Sequence, residues 1–268
     1  LTRTPAPMLA RRTLPDPYVQ WNRAHGAPFG AQLRGEAVLG RLLPESARVR
    51  LRGPFSIQPN NDTRAWEYPW AFHAAGPRAG MDVLEVGGGV AGFQFVLSRM
   101  GCRVVNVDPG MEATGVGWPC DEASMRRLNR LFGTSVELRN TVLEKAALPD
   151  EAFDLVFSIS VLEHLPPEEI AGAVREAFRV LRPGGRMVMT VDLFLNVHPF
   201  TREERNRYGT NVHLPWLLEQ APFQLEQGSP AELYGFDDFT AERVLARLDE
   251  LLVGAYPAAA QCLVLRKS

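Results

Sequence analysis

Glu85 stands two residues before the turn Gly87-Gly88-Gly89, and Gly92 completes the spacing G-x-G-x-x-G. Glycines let the backbone approach a ligand closely, and a helix that starts behind such a turn offers free N–H groups. That spacing alone is shared by several nucleotide-binding families. Glu85 is the unusual part. A carboxylate at the end of a buried strand is costly unless a cation or a set of N–H donors meets it. A dinucleotide has no use for it there, whereas a ligand with an ammonium group does. Asp108 closes the next apolar run, where a carboxylate can take both hydroxyls of a ribose; a solvated loop aspartate is the alternative. Among the histidines, His164 and His213 are the candidate general bases, because imidazole titrates near neutral pH. His198, Asn196, Asp192 and Tyr234 are further polar residues in or beside a charged stretch over 192–213.

The elements that must position these groups alternate in type. The residues predict strands at Val83–Val86, Arg103–Val107, Ser135–Leu138, Phe153–Ile159, Arg186–Val191, Phe223–Gln227 and Gln261–Leu265. Helices are expected at Phe93–Met100, Glu122–Phe132, Pro167–Leu181 (stopped by Gly184-Gly185), Leu214–Gln220 and Thr240–Val253. Strand–helix alternation argues an α/β fold with a doubly wound, mostly parallel sheet, which binds ligands outside the strand C-termini at the switch of strand order. Glu85, Asp108 and Ser158–Glu163 fall at such ends. Residues 1–75 read as an N-terminal arm and cap, and 76–268 as the core, with 192–213 a lid or substrate insertion. Within the cap, a helix is expected over Ala31–Leu43 and a weak strand over Val49–Ile57, with turn chemistry at Pro59-Asn60-Asn61-Asp62. The aromatics of Trp66-Glu67-Tyr68-Pro69-Trp70 serve either as a hydrophobic plug or as a ligand wall.

Four ordered stretches, Leu84–Gly92, Val105–Asp108, Phe153–Leu165 and Val180–Arg186, together resemble the class I, Rossmann-like S-adenosylmethionine-dependent methyltransferases of small-molecule type. The resemblance implies a seven-stranded sheet whose last strand is antiparallel, and S-adenosyl-L-methionine as cofactor. It sets Gly87, Gly88 and Gly89 under the cofactor's amino acid part, Glu85 near its ammonium, Asp108 on the ribose and Pro109 near the adenine. Ser158 borders the methionyl part. Many relatives carry an aspartate after strand three that contacts the adenine; here Thr141-Val142-Leu143 stands there, leaving the backbone of Leu143 for that contact. In relatives the Glu-His pair Glu163-His164 also serves to shape a helix start. Some relatives bind a divalent metal through Glu-x-x-Glu-His, but Ser160 replaces the first glutamate, so no metal is expected. The loop Pro109–Cys120, with Trp118, either caps the adenine or is plain surface.

A net charge of −2 creates no field to gather nucleic acid, so the expected acceptor is a small organic molecule such as a specialised metabolite or sugar. Oxygen, nitrogen and carbon acceptors stay open, as does the oligomeric state. Three separated cysteines form neither a zinc motif nor a disulfide framework. Without an apolar run of roughly 20 residues or a signal peptide, no membrane is expected and the cytoplasm is the default compartment. The rival readings are an NAD(P)-binding oxidoreductase, which fits the glycine spacing literally, and a non-methylating scaffold that keeps the cofactor pocket.

Overall fold

The computed structural model describes residues 8–26, 42–57, 62–110, 120–254 and 257–268. Seven strands form one sheet: β1 (Asp82–Val86), β2 (Arg103–Val107), β3 (Glu137–Arg139), β4 (Phe153–Ile159), β5 (Leu181–Phe194), β6 (Phe223–Gln227) and β7 (Ala258–Lys267). Their order is β3-β2-β1-β4-β5-β7-β6, with β7 antiparallel to both neighbours. From β1 the chain steps outward to β2 and β3, then crosses back to place β4 on the other side of β1. The switch therefore lies between β1 and β4, and a crevice opens above their C-terminal ends.

Alternation along the strands divides the core into two layers. Val83, Leu155, Phe157, Val188 and Cys262 face α3 (Arg64–Ala75), α4 (Gly92–Arg99) and α5 (Glu122–Phe132). Leu84, Val156, Met187 and Met189 face α6 (Pro167–Val180) and the short α7 (Leu214–Leu218). The first layer is aromatic: Phe93 at the start of α4 stacks on Tyr68 at 5.4 Å and meets Phe157 edge-on at 5.0 Å. Trp21 of α1 (Asp16–His25) packs on Phe55, Phe72 and Phe93. Trp66 and Trp70 are buried in this layer, so the aromatic stretch forms one side of α3 and supplies the plug.

Several expected boundaries move, each for a physical reason. Val49–Ile57 is helical rather than extended: α2 (Glu45–Arg52) starts after Pro44, and a short 3-10 turn Pro54–Ile57 follows. Only Val49 of its alternating apolar positions in α2 is buried, while Leu51 is exposed, so no strand face exists to be covered. Helix α6 ends at Val180, because Pro183 disfavours helical geometry at Arg182; Gly184 instead makes a left-handed turn at φ +80°. The helix expected over Thr240–Val253 is reduced to α8 (Ala241–Leu245). Its continuation is diverted into sheet contacts: Leu252 N–H bonds Ala10 O, and Arg12 N–H bonds Glu250 O. On its other side the same N-terminal segment pairs with β7, through Ala10 N–H to Ala260 O and Cys262 N–H to Met8 O. Met8–Arg12 thus acts as an extra strand along the part of β7 that β6 leaves uncovered. Strand β5 runs on to Phe194, paired with Ala258, so Asp192 is a buried strand residue and the insertion begins after Phe194. Most of Ala31–Leu43, together with Pro59-Asn60-Asn61 and Trp118, lies outside the described residues.

Candidate functional site

The turn after β1 is held from every side. Gly87 sits at φ +68° and donates its N–H to Val107 O. A Cβ on Gly87 would meet Val161 at 2.7 Å, and one on Gly88 would meet the Glu85 carboxyl carbon at 2.8 Å. Asn106 of β2 binds the turn twice, accepting from Gly88 N–H (3.2 Å) and donating to Gly89 O (2.8 Å). Gln94 of α4 reaches back to Gly88 O and Gly89 O, and the Cys120 thiol donates to Gly89 O. These contacts fix a bare backbone ledge.

Two carboxylates flank the ledge. Glu85 is 2% exposed, its Oε2 has no hydrogen-bond partner among the described residues, and burial together with nearby Asp108 pushes its carboxyl up to about 8. Asp108 accepts from Gly89 N–H (2.8 Å) and Gly110 N–H (2.7 Å). A carboxylate has about four acceptor positions, so two remain for hydroxyl donors. Pro109 follows directly, and Asn140 ties the ends of β2 and β3 by donating to Asp108 O at 2.8 Å. Leu143 buries its side chain in a 3-10 turn after β3.

Helix α3 adds two charged residues that sequence reading did not single out, Arg64 and Glu67, beside Tyr68 of the aromatic stretch. Arg64, Glu67 and Tyr68 share one face at i, i+3 and i+4, and that spacing was the available signal. Glu67 is fully buried, paired with Arg64 and bonded by the Thr190 hydroxyl of β5. Tyr68 is buried close enough to Glu85, Glu67 and Arg64 to sense all three charges, and burial raises its phenol well above the usual range.

Past β4 the chain kinks at Ser160, which holds φ +55° and donates to Glu163 Oε1 at 2.7 Å. Ser158 Oγ and Glu163 Oε2 are buried without partners among the described residues. His164 is partly exposed, with Nδ1 2.5 Å from Tyr208 O and Nε2 3.9 Å from Glu163 Oε1. A carbonyl only accepts, so Nδ1 carries the hydrogen and the lone pair of the neutral ring lies on Nε2. Thr210 N–H also bonds Glu163 O, which docks the insertion after β5 onto this turn. Within the insertion, Asn211 bonds Phe194 at both N–H and O and donates to His198 O.

His213 is not brought to this cluster. Its Nδ1 accepts Trp216 N–H as the N-cap of α7, and the ring packs against Gly235. That bond leaves the hydrogen of the neutral ring on Nε2, so neither nitrogen is available as a base. His198 bonds the Tyr234 hydroxyl instead. Among the described residues, no three His, Cys, Asp or Glu side chains are grouped to hold a metal ion, and no helix is long and apolar enough to cross a membrane. A cavity of about 600 Å³ lies at the opposite end of the sheet, where Arg182 pairs with Asp82 and Asp154, away from these groups.

The orphaned oxygens of Glu85 and Ser158, the open acceptor positions of Asp108 and the Cβ-free ledge fit an adenosyl amino acid. The family described as "Methyltransferase domain" matches residues 84–189. A probable S-adenosylmethionine-dependent methyltransferase of Mycolicibacterium smegmatis is 31% identical over 152 residues, covering 55% of this chain and 54% of that protein. A ubiquinone biosynthesis O-methyltransferase of Methylocella silvestris is 32% identical over 115 residues, covering 43% and 41%. The chain thus spans about half the length of the curated relatives it matches. Among solved structures, an S-adenosylmethionine-dependent methyltransferase of Mesorhizobium loti superposes with a TM-score of 0.51 at 18% identity, over 75% of this chain and 97% of that one. The [4+2]-cyclase SpnF superposes with a TM-score of 0.52 at 18% identity, over 87% and 94%.

Proposed function

We propose that this chain, whose residues 84–189 match the methyltransferase-domain family, is a class I S-adenosylmethionine-dependent methyltransferase that methylates a small organic acceptor. When bound, S-adenosyl-L-methionine supplies an electrophilic methyl group on a sulfonium. What the chain itself does is hold, orient and deprotonate. Gly87, Gly88 and Gly89 lie under the amino acid part, where Glu85 receives the ammonium and Arg64, across the Tyr68 ring, attracts the carboxylate. Asp108 takes the ribose hydroxyls, Pro109 and the backbone of Leu143 border the adenine, and Ser158 borders the methionyl chain. His164 removes the acceptor's proton at Nε2, because its Nδ1–H is committed to Tyr208 O. Such a base contributes typically 10²–10⁴-fold where the acceptor must lose a proton.

The cap role of residues 1–75 and of the 192–213 region is part of this proposal. It is supported by α3, which carries Arg64, Glu67 and Tyr68, and by the insertion's bonds to Glu163 and His164. The acceptor's identity and the atom methylated are left open; the relatives include proteins described as O-methyltransferases. The observation that carries the reading is the buried, unpartnered Glu85 beside the glycine ledge, which a dinucleotide would leave unmet. Because the fold also serves a [4+2]-cyclase, cofactor binding and turnover are separate questions.

Thermal melting with S-adenosylhomocysteine tests the site. A ligand at 100 times its dissociation constant adds about 2.7 kcal/mol to the folded state. The unsubstituted protein should shift clearly and Asp108→Ala should not. Stabilisation by NADH with no response to S-adenosylhomocysteine would sink the proposal.

A further inference from the structure

Glu85 is poorly accommodated for a charge. It is buried with Oε2 unpartnered, and among the described residues the groups facing it bring no cation into contact. Past β2, Asp108 adds a second negative field. Strand β2 itself offers Asn106, whose amide is committed to Gly88 and Gly89. β4 and α4 present Phe157, Ser158 and Gln94, none of which titrates. From α3 come Tyr68, kept un-ionised by burial, and Glu67, with Arg64 bonded to that glutamate. Burial and Asp108 together push the Glu85 carboxyl up to about 8, so at neutral pH and without ligand it carries a proton.

We infer that Glu85 enters the ligand complex by giving up this proton, so that binding of an adenosyl amino acid releases about one proton per site at neutral pH. The O–H bond of the carboxyl breaks, its proton leaves to solvent, and the ligand's ammonium becomes the partner of the carboxylate. This rests on the cofactor reading above and adds to it a selection rule. Affinity for ligands with the ammonium rises about tenfold per pH unit on the acid side of pH 8. A ligand that shares the adenosine and thioether but lacks the amino acid part gains nothing.

Calorimetric titration in phosphate and in Tris at pH 7 reads the proton directly, since the two buffers take it up with different enthalpies. S-adenosylhomocysteine should show a buffer-dependent heat worth about one proton; 5′-methylthioadenosine should show none, and neither should S-adenosylhomocysteine on Glu85→Gln. The methylthioadenosine arm uses the unsubstituted protein, so it decides even if the variant does not fold. Binding of S-adenosylhomocysteine with the same heat in both buffers overturns the inference and leaves the cofactor site standing. Release that persists in Glu85→Gln, or appears equally with 5′-methylthioadenosine, also overturns it, because the proton then comes from another group. No binding of S-adenosylhomocysteine at all removes the cofactor reading itself.

Discussion

At the scale of single residues, the site is built from groups whose folded environment disagrees with their chemistry. Glu85 prefers its proton in the folded state at about 8, against a carboxyl's ordinary value near 4.5. Between those values the folded chain binds the extra proton, so stability is full at acid pH and falls as pH rises through 8. Urea unfolding without ligand should therefore show stability declining from about pH 5 to about pH 8 in the unsubstituted protein, with a flatter profile in Glu85→Gln. Two histidines differ in which nitrogen is free. Nitrogen-15 spectra of the imidazoles should show the Nδ1–H tautomer for His164 and the Nε2–H tautomer for His213; the reverse for His164 would remove the base role assigned to it. Gly209 is constrained by position as well as conformation: at φ +153°, an added Cβ would lie 1.8 Å from Glu163 O. Gly209→Ala should exceed the roughly 1–2 kcal/mol of a left-handed alanine, whereas Gly76→Ala, at φ +59° with open space around it, should cost no more than that. Chemical denaturation of the two variants compares them.

At the scale of elements, α3 links the hydrophobic core to the chemistry. Its Trp66 and Trp70 fill the layer over β4, β5 and β7, while Glu67 meets Thr190 of β5, level with the end of β4. The aromatic side anchors the helix, and the anchor holds Tyr68 near Glu85, with Arg64 over the Tyr68 ring and paired with Glu67. Thr190→Val keeps the shape but removes the hydroxyl donor to a buried carboxylate. It should cost about 1–3 kcal/mol in urea unfolding and weaken S-adenosylhomocysteine binding in the same calorimetric assay; unchanged values in both would show that Glu67 needs no such partner. The insertion after β5 behaves as a docked element. Asn211 ties it to Phe194 and His198, and Tyr208 and Thr210 tie it to the turn after β4.

At the scale of the molecule, the sheet is completed by the two ends of the chain. Met8–Arg12 lies between β7 and the stretch around Leu251, and the Glu232 carboxylate gathers Met8 N–H, Leu9 N–H, Arg11 and Arg247. An uncovered sheet edge is a template for association. Glu232→Ala should expose the segment to limited proteolysis ahead of Trp21 and lower the melting temperature. Concentration-dependent association in sedimentation should follow once the segment is cut. An unaltered cleavage pattern would mean that β7 holds the segment without the carboxylate.

The sequence by itself determined the nucleotide-type half of this protein. Strands β1, β2 and β4 and the ledge Gly87–Gly89 come from local signals, namely apolar runs ended by glycine, a carboxylate or serine, and these survive folding because both faces of the strands are covered. Glu85 and Asp108 were legible because a charge at a strand end is anomalous in one dimension. What folding alone decided depends on contacts between residues far apart in the chain. Val49–Ile57 alternates like a strand yet forms a helix and a 3-10 turn, with Val49 buried and Leu51 left exposed. Thr240–Val253 has helical periodicity yet ends early because Ala10 and Arg12 take its backbone bonds. His164 and His213 look alike in sequence; only the Tyr208 carbonyl beside one and the Trp216 N–H beside the other separate a free Nε2 from a helix cap. Arg64, Glu67 and Tyr68 were grouped with Thr190 and brought near Glu85 only when α3 was packed against the sheet. Hydrophobic period selects the face of a helix, and the tertiary packing selects what that face meets.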